Sequence, residues 1–395
     1  MLTRTIADPR AWRADTLDDP ASWYYPLSQR SLSALDAALA DWRRDSRPVT
    51  ELRPSDALRA ACAEDLRFVR TALEEGRGFA ILTPGRPDRF AARDLPAVYW
   101  LVGHCLGRPL EQNVQGTLLY DVRDAGEDVR YGARFSVTSA ESTFHTDNSF
   151  GADVLDYVGL LCLNTAKSGG ESQVVSGVRV LDELRAEDAD ALEVLRRPFH
   201  FDRRGGVRPG DEPTVRFPVV AGDGPDVLIR YLRYWIEVGQ EKAGEPLTAA
   251  QTKALDLLDR VAARLRLRAE FMLRPGEMFF INNRWILHNR TAFEDHAEPE
   301  RKRHYVRLWL RRLLGTPSVA FGCARNATEG VPYRPPVTSG RRTSPRSCAA
   351  ATPDRRHRGS RGACVRGRCW RSRSARPAPG RGCRSPTGSA PARTP

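Results

Sequence analysis

The sequence lacks any apolar stretch long enough to cross a membrane, which takes about 20 mostly apolar residues. The first twenty residues contain acids and arginines where a signal peptide would have a hydrophobic segment. No internal repeat is present. These absences speak against a membrane protein and a secreted protein, and they predict a cytoplasmic location.

Cysteine is scarce, and its spacing does not indicate a metal site. None of the eight cysteines forms a C-x-x-C pair, and the four beyond residue 340 have no histidines at zinc-finger spacing. The other four are interpreted as small buried apolar residues, as is usual in a cytoplasmic protein. These four are Cys62, Cys105, Cys162 and Cys323.

Acidic residues and lysine are almost missing from residues 341–395. This segment contains 15 arginines, no lysine and the single acid Asp354. It accounts for the net charge of +13, because the first 340 residues are close to neutral. Nucleic acid is therefore not an expected partner of the body. The composition predicts disorder, and the tail is open to three interpretations: a plain basic tail, an arm for an anionic partner, or the product of a shifted reading frame.

Several segments space their apolar residues as helices do. Ser55 is a plausible N-cap, Gly107 a stop, and Thr248 with Gln251 a capping box. The segments predicted to be helical are residues 55–75, 93–105, 178–195 and 248–264. Polar residues 1–50 are expected to be anchored on the body by Trp12, Trp23, Tyr24 and Tyr25.

Short apolar runs broken by Gly, Asn, Asp and Ser indicate strands and turns in the middle of the chain. The segments predicted to be strands are residues 78–82, 154–163, 277–287 and 305–314. Helices around a β-rich centre, without β-α-β alternation, predict an α+β fold with an antiparallel sandwich or jelly roll. Three regions are expected: a helical extension over 1–75, a core domain over 76–320 and a disordered tail over 321–395.

One segment carries the clearest chemical signal, the run Thr143-Phe144-His145-Thr146-Asp147-Asn148-Ser149-Phe150. Side chains two apart in an extended strand project from one face, so His145 and Asp147 can supply two metal ligands. A distant third ligand is found in His288, at the end of the predicted strand 277–287. Two imidazoles and one carboxylate suit ferrous iron, because three of six octahedral positions stay open.

Three further motifs follow this segment in order. They are Lys167-Ser168-Gly169-Gly170-Glu171-Ser172, the run from Phe280 to Arg290 that contains His288, and Arg303-His304-Tyr305-Val306-Arg307-Leu308-Trp309-Leu310. Together with His145-x-Asp147, the set resembles the taurine dioxygenase (TauD/TfdA) family of Fe(II)- and 2-oxoglutarate-dependent oxygenases, including clavaminate-synthase-like members. The resemblance covers residues 77–314.

The resemblance implies a double-stranded β-helix, or jelly roll, with flanking helices. It implies that His145, Asp147 and His288 bind iron. Arg303 would hold the distal carboxylate of 2-oxoglutarate, as a planar guanidinium can do with two parallel hydrogen bonds. Ser172 stands where the family often has a threonine, and it keeps the hydroxyl.

The resemblance also implies substrate contacts. Arg307 occupies a position that meets an anionic group of the substrate in several members. Gln112 and Asn113 lie where relatives often place polar substrate-contacting side chains, although simple loop capping is the alternative. Arg303 and Arg307 could equally be a solvated basic face, and Ser172 a turn residue. The remaining histidines have no partners at ligand spacing and are interpreted as structural.

The predicted function is a dioxygenase that uses Fe(II), 2-oxoglutarate and O2 to oxidise, and most simply hydroxylate, an unactivated C–H of a small molecule. Succinate and CO2 are the expected by-products, and the substrate is expected to be amino-acid-like or anionic. The resemblance also implies that Asp147 favours hydroxylation, desaturation or ring closure over halogenation, because halogenating relatives lack this carboxylate. Two alternatives stay open: a metal-dependent hydrolase on the same three ligands, and a binding protein acting through its basic tail.

Overall fold

The chain is described here from a computed structural model, over residues 8–17, 19–45, 47–126, 137–152, 155–203 and 210–313. Helices and strands are mixed along the chain, as the sequence predicts. The helices are α1 (Gln29–Asp45), α2 (Asp56–Glu74), α3 (Leu95–Leu106), α4 (Gly177–Glu187), α5 (Ala189–Leu195), α6 (Arg233–Ala243) and α7 (Ala249–Ala262). The tail lies outside the described residues, and the predicted division at residues 75 and 320 stays a prediction.

The strands form one large sheet and several small ones. They are β1 (Tyr24–Pro26), β2 (Phe79–Thr83), β3 (Gly107–Leu110), β4 (Leu119–Val122), β5 (Tyr157–Asn164), β6 (Ser168–Gly169), β7 (Ser172–Ser176), β8 (Pro198–Asp202), β9 (Thr214–Pro218), β10 (Val220–Ala221), β11 (Leu228–Ile229), β12 (Arg268–Phe271), β13 (Met278–Asn282), β14 (Ile286–Arg290), β15 (Phe293–Glu294) and β16 (His304–Arg312).

The large sheet has the order β1-β2-β13-β5-β16-β3, and β4 also pairs with β16. Only the β1–β2 pair is parallel among the pairs of this sheet that the structure describes. A second sheet has the order β12-β7-β14, and three two-stranded sheets complete the described set.

Both faces of the large sheet are buried, and they belong to two different cores. On β16 the residues Val306, Leu308 and Leu310 pack into one core with helices α1, α2 and α3. The alternate residues Tyr305 and Trp309 pack into the other core, which also contains residues of β7, β14 and helices α4 to α7. The alternation of a strand therefore directs every second residue of β16 toward the side where the second sheet lies.

Most of the predicted helices are confirmed, with small shifts at their ends. Ser55 caps α2 by accepting a hydrogen bond from the backbone N–H of Leu58, and α3 ends at Gly107. The capping box of Thr248 and Gln251 is present at the start of α7. The predicted helix over 178–195 is two helices, because Asp188 adopts an extended conformation and caps α5 with its own side chain.

Two helices and one hairpin are not predicted from the sequence pattern. Helix α1 lies inside the polar segment 1–50 and buries only a narrow stripe of its surface, including Leu32, Leu35 and Leu39. Helix α6 and the β8–β9 hairpin occupy the region between residues 198 and 243. A narrow apolar stripe among arginines, aspartates and alanines gives a weak helical signal, and packing supplies the rest of the stability.

The predicted strand over 277–287 is wrong as a single element. Strands β13 and β14 lie in different sheets, and residues 283–285 form the turn between them. The side chain of Asn282 accepts a hydrogen bond from the N–H of Arg284 and donates to the carbonyl of Leu73, which fixes the turn. His288 is consequently the middle residue of β14 and not the end of a strand.

Candidate active site

The structure brings His145, Asp147 and His288 together. Their potential ligand atoms all lie within 4.8 Å of one another, in a group with the donor set expected of a facial triad. Oδ1 of Asp147 lies 3.6 Å from Nε2 of His145 and 3.9 Å from Nε2 of His288. The three side chains therefore surround one position, although 143 residues separate the two histidines along the chain.

Backbone hydrogen bonds hold the two histidines side by side. His145 forms an isolated antiparallel bridge with His288, in which each N–H donates to the other residue's carbonyl at 3.0 and 2.9 Å. The predicted strand around His145 is thus a single bridge, after which the chain turns at Asp147. Nδ1 of His145 lies 2.6 Å from the carbonyl of Thr143, which leaves Nε2 for a metal.

Asn283 fixes the backbone of Asp147 and was not singled out from the sequence. Its Oδ1 accepts a hydrogen bond from the Asp147 N–H at 2.8 Å, and its Nδ2 donates to the Asp147 carbonyl at 3.0 Å. The side chain is almost fully buried. The paired asparagines before the His288 strand are a turn signal, so the sequence contains a hint of this role but not of the partner.

The charges at the site suit a divalent metal. Burial raises the pKa of Asp147, but the Arg307 guanidinium and the two imidazoles outweigh burial and hold that pKa well below its usual range. Burial, followed by the nearby His145, lowers the pKa of His288 to about 3. An ionised carboxylate and a neutral imidazole are the protonation states that bind metal.

The second oxygen of Asp147 points away from the histidines. Its Oδ2 accepts a hydrogen bond from the indole Nε1 of Trp309 at 2.8 Å and lies 3.1 Å from Nη1 of Arg307. Both partners come from β16, two residues apart and on one face. Trp309 was not singled out as a site residue, because a tryptophan in an apolar strand is usually a packing residue.

Arg303 lies in the same cavity as the three metal-binding candidates. It is 3% exposed, and its Nε and Nη1 have no hydrogen-bond partner in the described part of the chain. Its guanidinium carbon lies 3.9 Å from the centre of the Tyr305 ring and 5.2 Å from that of Phe293. A buried cation without an acceptor costs stability, so an anionic ligand beside Arg303 would stabilise it.

The Gly169-Gly170 pair allows close packing against Ala292 and Arg303. Both glycines have positive φ angles, 71° and 83°. A Cβ on Gly169 would lie 2.2 Å from the carbonyl oxygen of Ala292, and one on Gly170 would lie 3.3 Å from Nε of Arg303. Ser172 begins β7 two residues later, is 6% exposed and lines the cavity. The motif therefore places both the hydroxyl and the guanidinium in the same cavity.

Gln112 and Asn113 do not line the cavity in the described part of the chain. The amide of Gln112 is buried, accepts a hydrogen bond from Nε of Arg307 at 2.8 Å and donates to the Arg307 carbonyl at 2.9 Å. Oδ1 of Asn113 accepts from the N–H groups of Gln115 and Thr117. Gln112 thus supports Arg307, and Asn113 has the loop-capping role that the sequence left as the alternative.

The cavity measures about 140 Å³ and has one apolar side. Phe150, Leu232 and Trp235 are among the apolar side chains that line it. Its charged lining, within the described ranges, consists of Asp147 and the three arginines 290, 303 and 307. The guanidinium of Arg290 donates to the carbonyls of Thr138, Ala140 and Thr291, so it fastens a loop to β14.

Comparison with known proteins identifies the class. The sequence profile of the family described as Taurine catabolism dioxygenase TauD, TfdA family matches residues 45–309. The chain belongs to this family. It is similar to FR-33289 synthase of Streptomyces rubellomurinus (strain ATCC 31215), with 27% identity over 321 residues, which cover 78% of this chain and 91% of the relative. Uridine-5'-phosphate dioxygenase of a Streptomyces species is 30% identical over 205 residues, 48% of this chain and 71% of the relative.

The fold resembles that of asparagine oxygenase solved with Fe(II), 2S,3S-3-hydroxyasparagine and succinate. The TM-score is 0.54 at 19% identity, and the match covers 73% of this chain and 93% of that chain. A likeness at this identity concerns the fold, and the family membership carries the activity.

The protein is a 2-oxoglutarate-dependent non-haem iron dioxygenase that uses Fe(II) and 2-oxoglutarate to hydroxylate a small substrate. The alternative of a hydrolase on the same ligands is therefore not supported. The other alternative, a binding protein that acts through its basic tail, concerns residues that lie outside the described ranges. None of the described helices combines the length and the apolar character that a membrane span requires, and the cytoplasmic location stays a prediction.

Proposed function

We propose that His145, Asp147 and His288 hold the iron of this dioxygenase. Two imidazoles and a carboxylate supply three donors around a shared position. This donor set leaves positions open for a co-substrate and dioxygen. The hydrogen bond from His145 to Thr143 and the bracket of Asn283 around Asp147 would limit the movement of the ligands when the metal binds.

We further propose that Arg303 and Ser172 bind the distal carboxylate of 2-oxoglutarate. The proposal rests on the buried guanidinium of Arg303. Two of its nitrogens lack an acceptor in the described residues. Arg303 also lines the cavity that is lined by the three proposed metal ligands. A carboxylate can accept two parallel hydrogen bonds from a guanidinium. The aromatic rings of Tyr305 and Phe293 hold the guanidinium in place.

When bound, Fe(II) with 2-oxoglutarate and dioxygen converts a substrate C–H into C–OH, while 2-oxoglutarate becomes succinate and CO2. The protein contributes binding and orientation. Arg303 and Ser172 set the position of the co-substrate, the three ligands set the position of the metal, and the apolar side chains around Phe150 and Trp235 exclude water from the reacting carbon.

The charge of the cavity favours an anionic substrate. Three arginines and a divalent metal face one aspartate among the described lining residues, and the two carboxylates of 2-oxoglutarate neutralise only part of the excess. No acidic side chain other than Asp147 lines the described cavity, so a substrate ammonium would lack a partner there. We therefore propose a small molecule with an anionic group, such as a phosphate, phosphonate, sulfonate or carboxylate, joined to an apolar portion that carries the oxidised C–H.

We infer that the large sheet and the β12-β7-β14 sheet form the two layers of a double-stranded β-helix. Residues of both sheets share one core, and the site lies among side chains from both, with Asp147 beside β16 and His288 on β14. Such an arrangement would hold His288 on a strand and the other two ligands and Arg303 directly beside strands.

An anaerobic titration tests the cofactor assignment. Adding Fe(II) and 2-oxoglutarate to the purified protein is expected to produce a metal-to-ligand charge-transfer band, and the same titration of an Arg303→Ala variant should need far more 2-oxoglutarate. Absence of the band in the folded wild-type protein would contradict the proposal.

A panel of small molecules tests the substrate class. Alkyl phosphonates, alkyl carboxylates, their neutral esters and L-amino acids are added to the protein loaded with Fe(II) and 2-oxoglutarate under anaerobic conditions. Anionic members with an apolar chain are expected to shift the band, and their neutral esters are not. A shift with neutral esters alone would overturn the anionic assignment while leaving the dioxygenase intact.

A further inference from the structure

The two oxygens of Asp147 face different surroundings. Oδ1 lies 3.6 and 3.9 Å from the Nε2 atoms of His145 and His288. Oδ2 lies 2.8 Å from the indole nitrogen of Trp309 and 3.1 Å from Nη1 of Arg307. One oxygen is thus available to a metal, and the other already has two donors.

Trp309 has the structural features of a positioning residue. It is 6% exposed, so its indole N–H cannot exchange its hydrogen bond to Asp147 for one to bulk water without a large movement. It belongs to the long strand β16, which pairs with β3, β4 and β5. An indole N–H can only donate, so its natural partner is the carboxylate oxygen and never a competing metal.

Arg307 is held in place from behind. Its Nε donates to Oε1 of Gln112 at 2.8 Å, and its guanidinium carbon lies 5.1 Å from the Tyr120 ring centre and 4.9 Å from that of Trp309. The Gln112 amide also donates to the Arg307 carbonyl. Arg307 and Trp309 therefore form one packed unit against Oδ2.

We propose that Trp309, together with Arg307, holds Oδ2 of Asp147 away from the metal, so that Asp147 binds iron through Oδ1 alone. This inference rests on the proposed role of the three ligands. A carboxylate that bound through both oxygens would occupy one of the positions needed by 2-oxoglutarate or dioxygen. The indole N–H thus keeps that position open and reduces the freedom that Asp147 loses when metal binds.

The test measures metal binding by the apo-protein, without turnover. Wild type and Trp309→Phe are titrated with Co(II) by calorimetry, and the visible absorption of bound Co(II) is recorded to report its coordination. Trp309→Phe keeps an aromatic ring and removes the donor. We expect roughly tenfold weaker Co(II) binding, the lower end of what loss of an outer-shell partner causes, together with an altered Co(II) spectrum.

Trp285→Phe is the matched control. Trp285 is 2% exposed, lies three residues before His288 and does not line the described cavity. Its replacement should leave the Co(II) affinity and spectrum unchanged. If Trp285→Phe weakens Co(II) binding as much as Trp309→Phe does, the effect is one of packing and the inference is wrong.

A double-mutant cycle tests whether Trp309 affects Co(II) binding through Asp147. In an Asp147→Ala background, Trp309→Phe should no longer change the residual Co(II) affinity, because the carboxylate through which it acts is absent. An unchanged affinity and spectrum in Trp309→Phe alone would overturn the inference. Wild-type protein that binds no Co(II) would instead contradict the proposed metal site. If Trp309→Phe does not fold, Arg307→Met removes the other donor to Oδ2 while keeping an unbranched side chain, and the same criteria apply.

Discussion

Two arginines four residues apart, Arg303 just before β16 and Arg307 within it, have opposite surroundings. Arg307 has partners within the protein, since Gln112 accepts from its Nε, Asp147 lies beside its Nη1 and two aromatic rings flank it. Arg303, in contrast, has aromatic neighbours but leaves two buried nitrogens without an acceptor in the described residues. A cation with acceptors in the protein fixes the protein's own groups, whereas a buried cation without them would be stabilised by an anionic ligand.

The largest effect should come from removing a metal ligand, because both arginines act around the same metal site. His288→Ala takes away one of three donors to the metal, and without metal neither arginine has a function in catalysis. We expect 2-oxoglutarate turnover to fall to the background rate, measured as succinate formed under oxygen. His296→Ala serves as the control, because His296 belongs to no ligand group in the described chain and should retain turnover. Comparable turnover in the two variants would show that His288 is not a required metal ligand.

The second-largest effect is expected from a change at Arg303 alone. Arg303→Lys keeps the charge and loses the planar pair of donors, which should weaken 2-oxoglutarate binding by about 3 kcal/mol, or roughly a hundredfold. The anaerobic charge-transfer titration measures this. Arg311→Lys alters β16, the strand that follows Arg303, outside the cavity and should leave the midpoint unchanged. Equal midpoints for wild type and Arg303→Lys would mean that the unpaired nitrogens of Arg303 do not bind 2-oxoglutarate.

A smaller effect on the same binding step is expected from the hydroxyl of Ser172. Ser172→Ala should raise the 2-oxoglutarate concentration needed in that titration by roughly tenfold, the value of one hydrogen bond to a charged group at about 1.5 kcal/mol. Ser172→Thr keeps the hydroxyl and should behave nearly as wild type. Weak binding by both variants would point to packing of β7 as the cause and not to the hydroxyl.

The smallest effect should come from the surroundings of Arg307. Gln112→Ala removes the acceptor behind Arg307 and should weaken Co(II) binding by about 1 kcal/mol, roughly fivefold, with no change in 2-oxoglutarate affinity at saturating metal. Asn113→Ala, at the next residue, removes a loop cap that does not touch Arg307 and should leave Co(II) affinity intact. A change in 2-oxoglutarate affinity with Gln112→Ala would mean that the surroundings of the two arginines are not separate.

The residues that form the site were predictable from the sequence, although their separate surroundings were not. The spacing of His145 and Asp147, the distance to His288 and the Arg303 motif together predicted the family, which the profile match confirms. Helices α2 and α7 were predicted with their caps, since local apolar spacing and capping side chains act within one or two turns of the chain. The helix α1 and the break between β13 and β14 were not, because their stability depends on distant packing.

The sequence therefore determined which side chains are chemically able to act at the site, but not which residues they contact. Residue types and short spacings determined which side chains can bind a metal or a carboxylate. Only the folded protein decided that Asn283 brackets Asp147, that Trp309 donates to its second oxygen, and that Arg307 is engaged while Arg303 is not. Each of these contacts joins residues more than 100 positions apart or depends on what lies across the cavity, and a hydrogen bond depends on distances that sequence order does not specify.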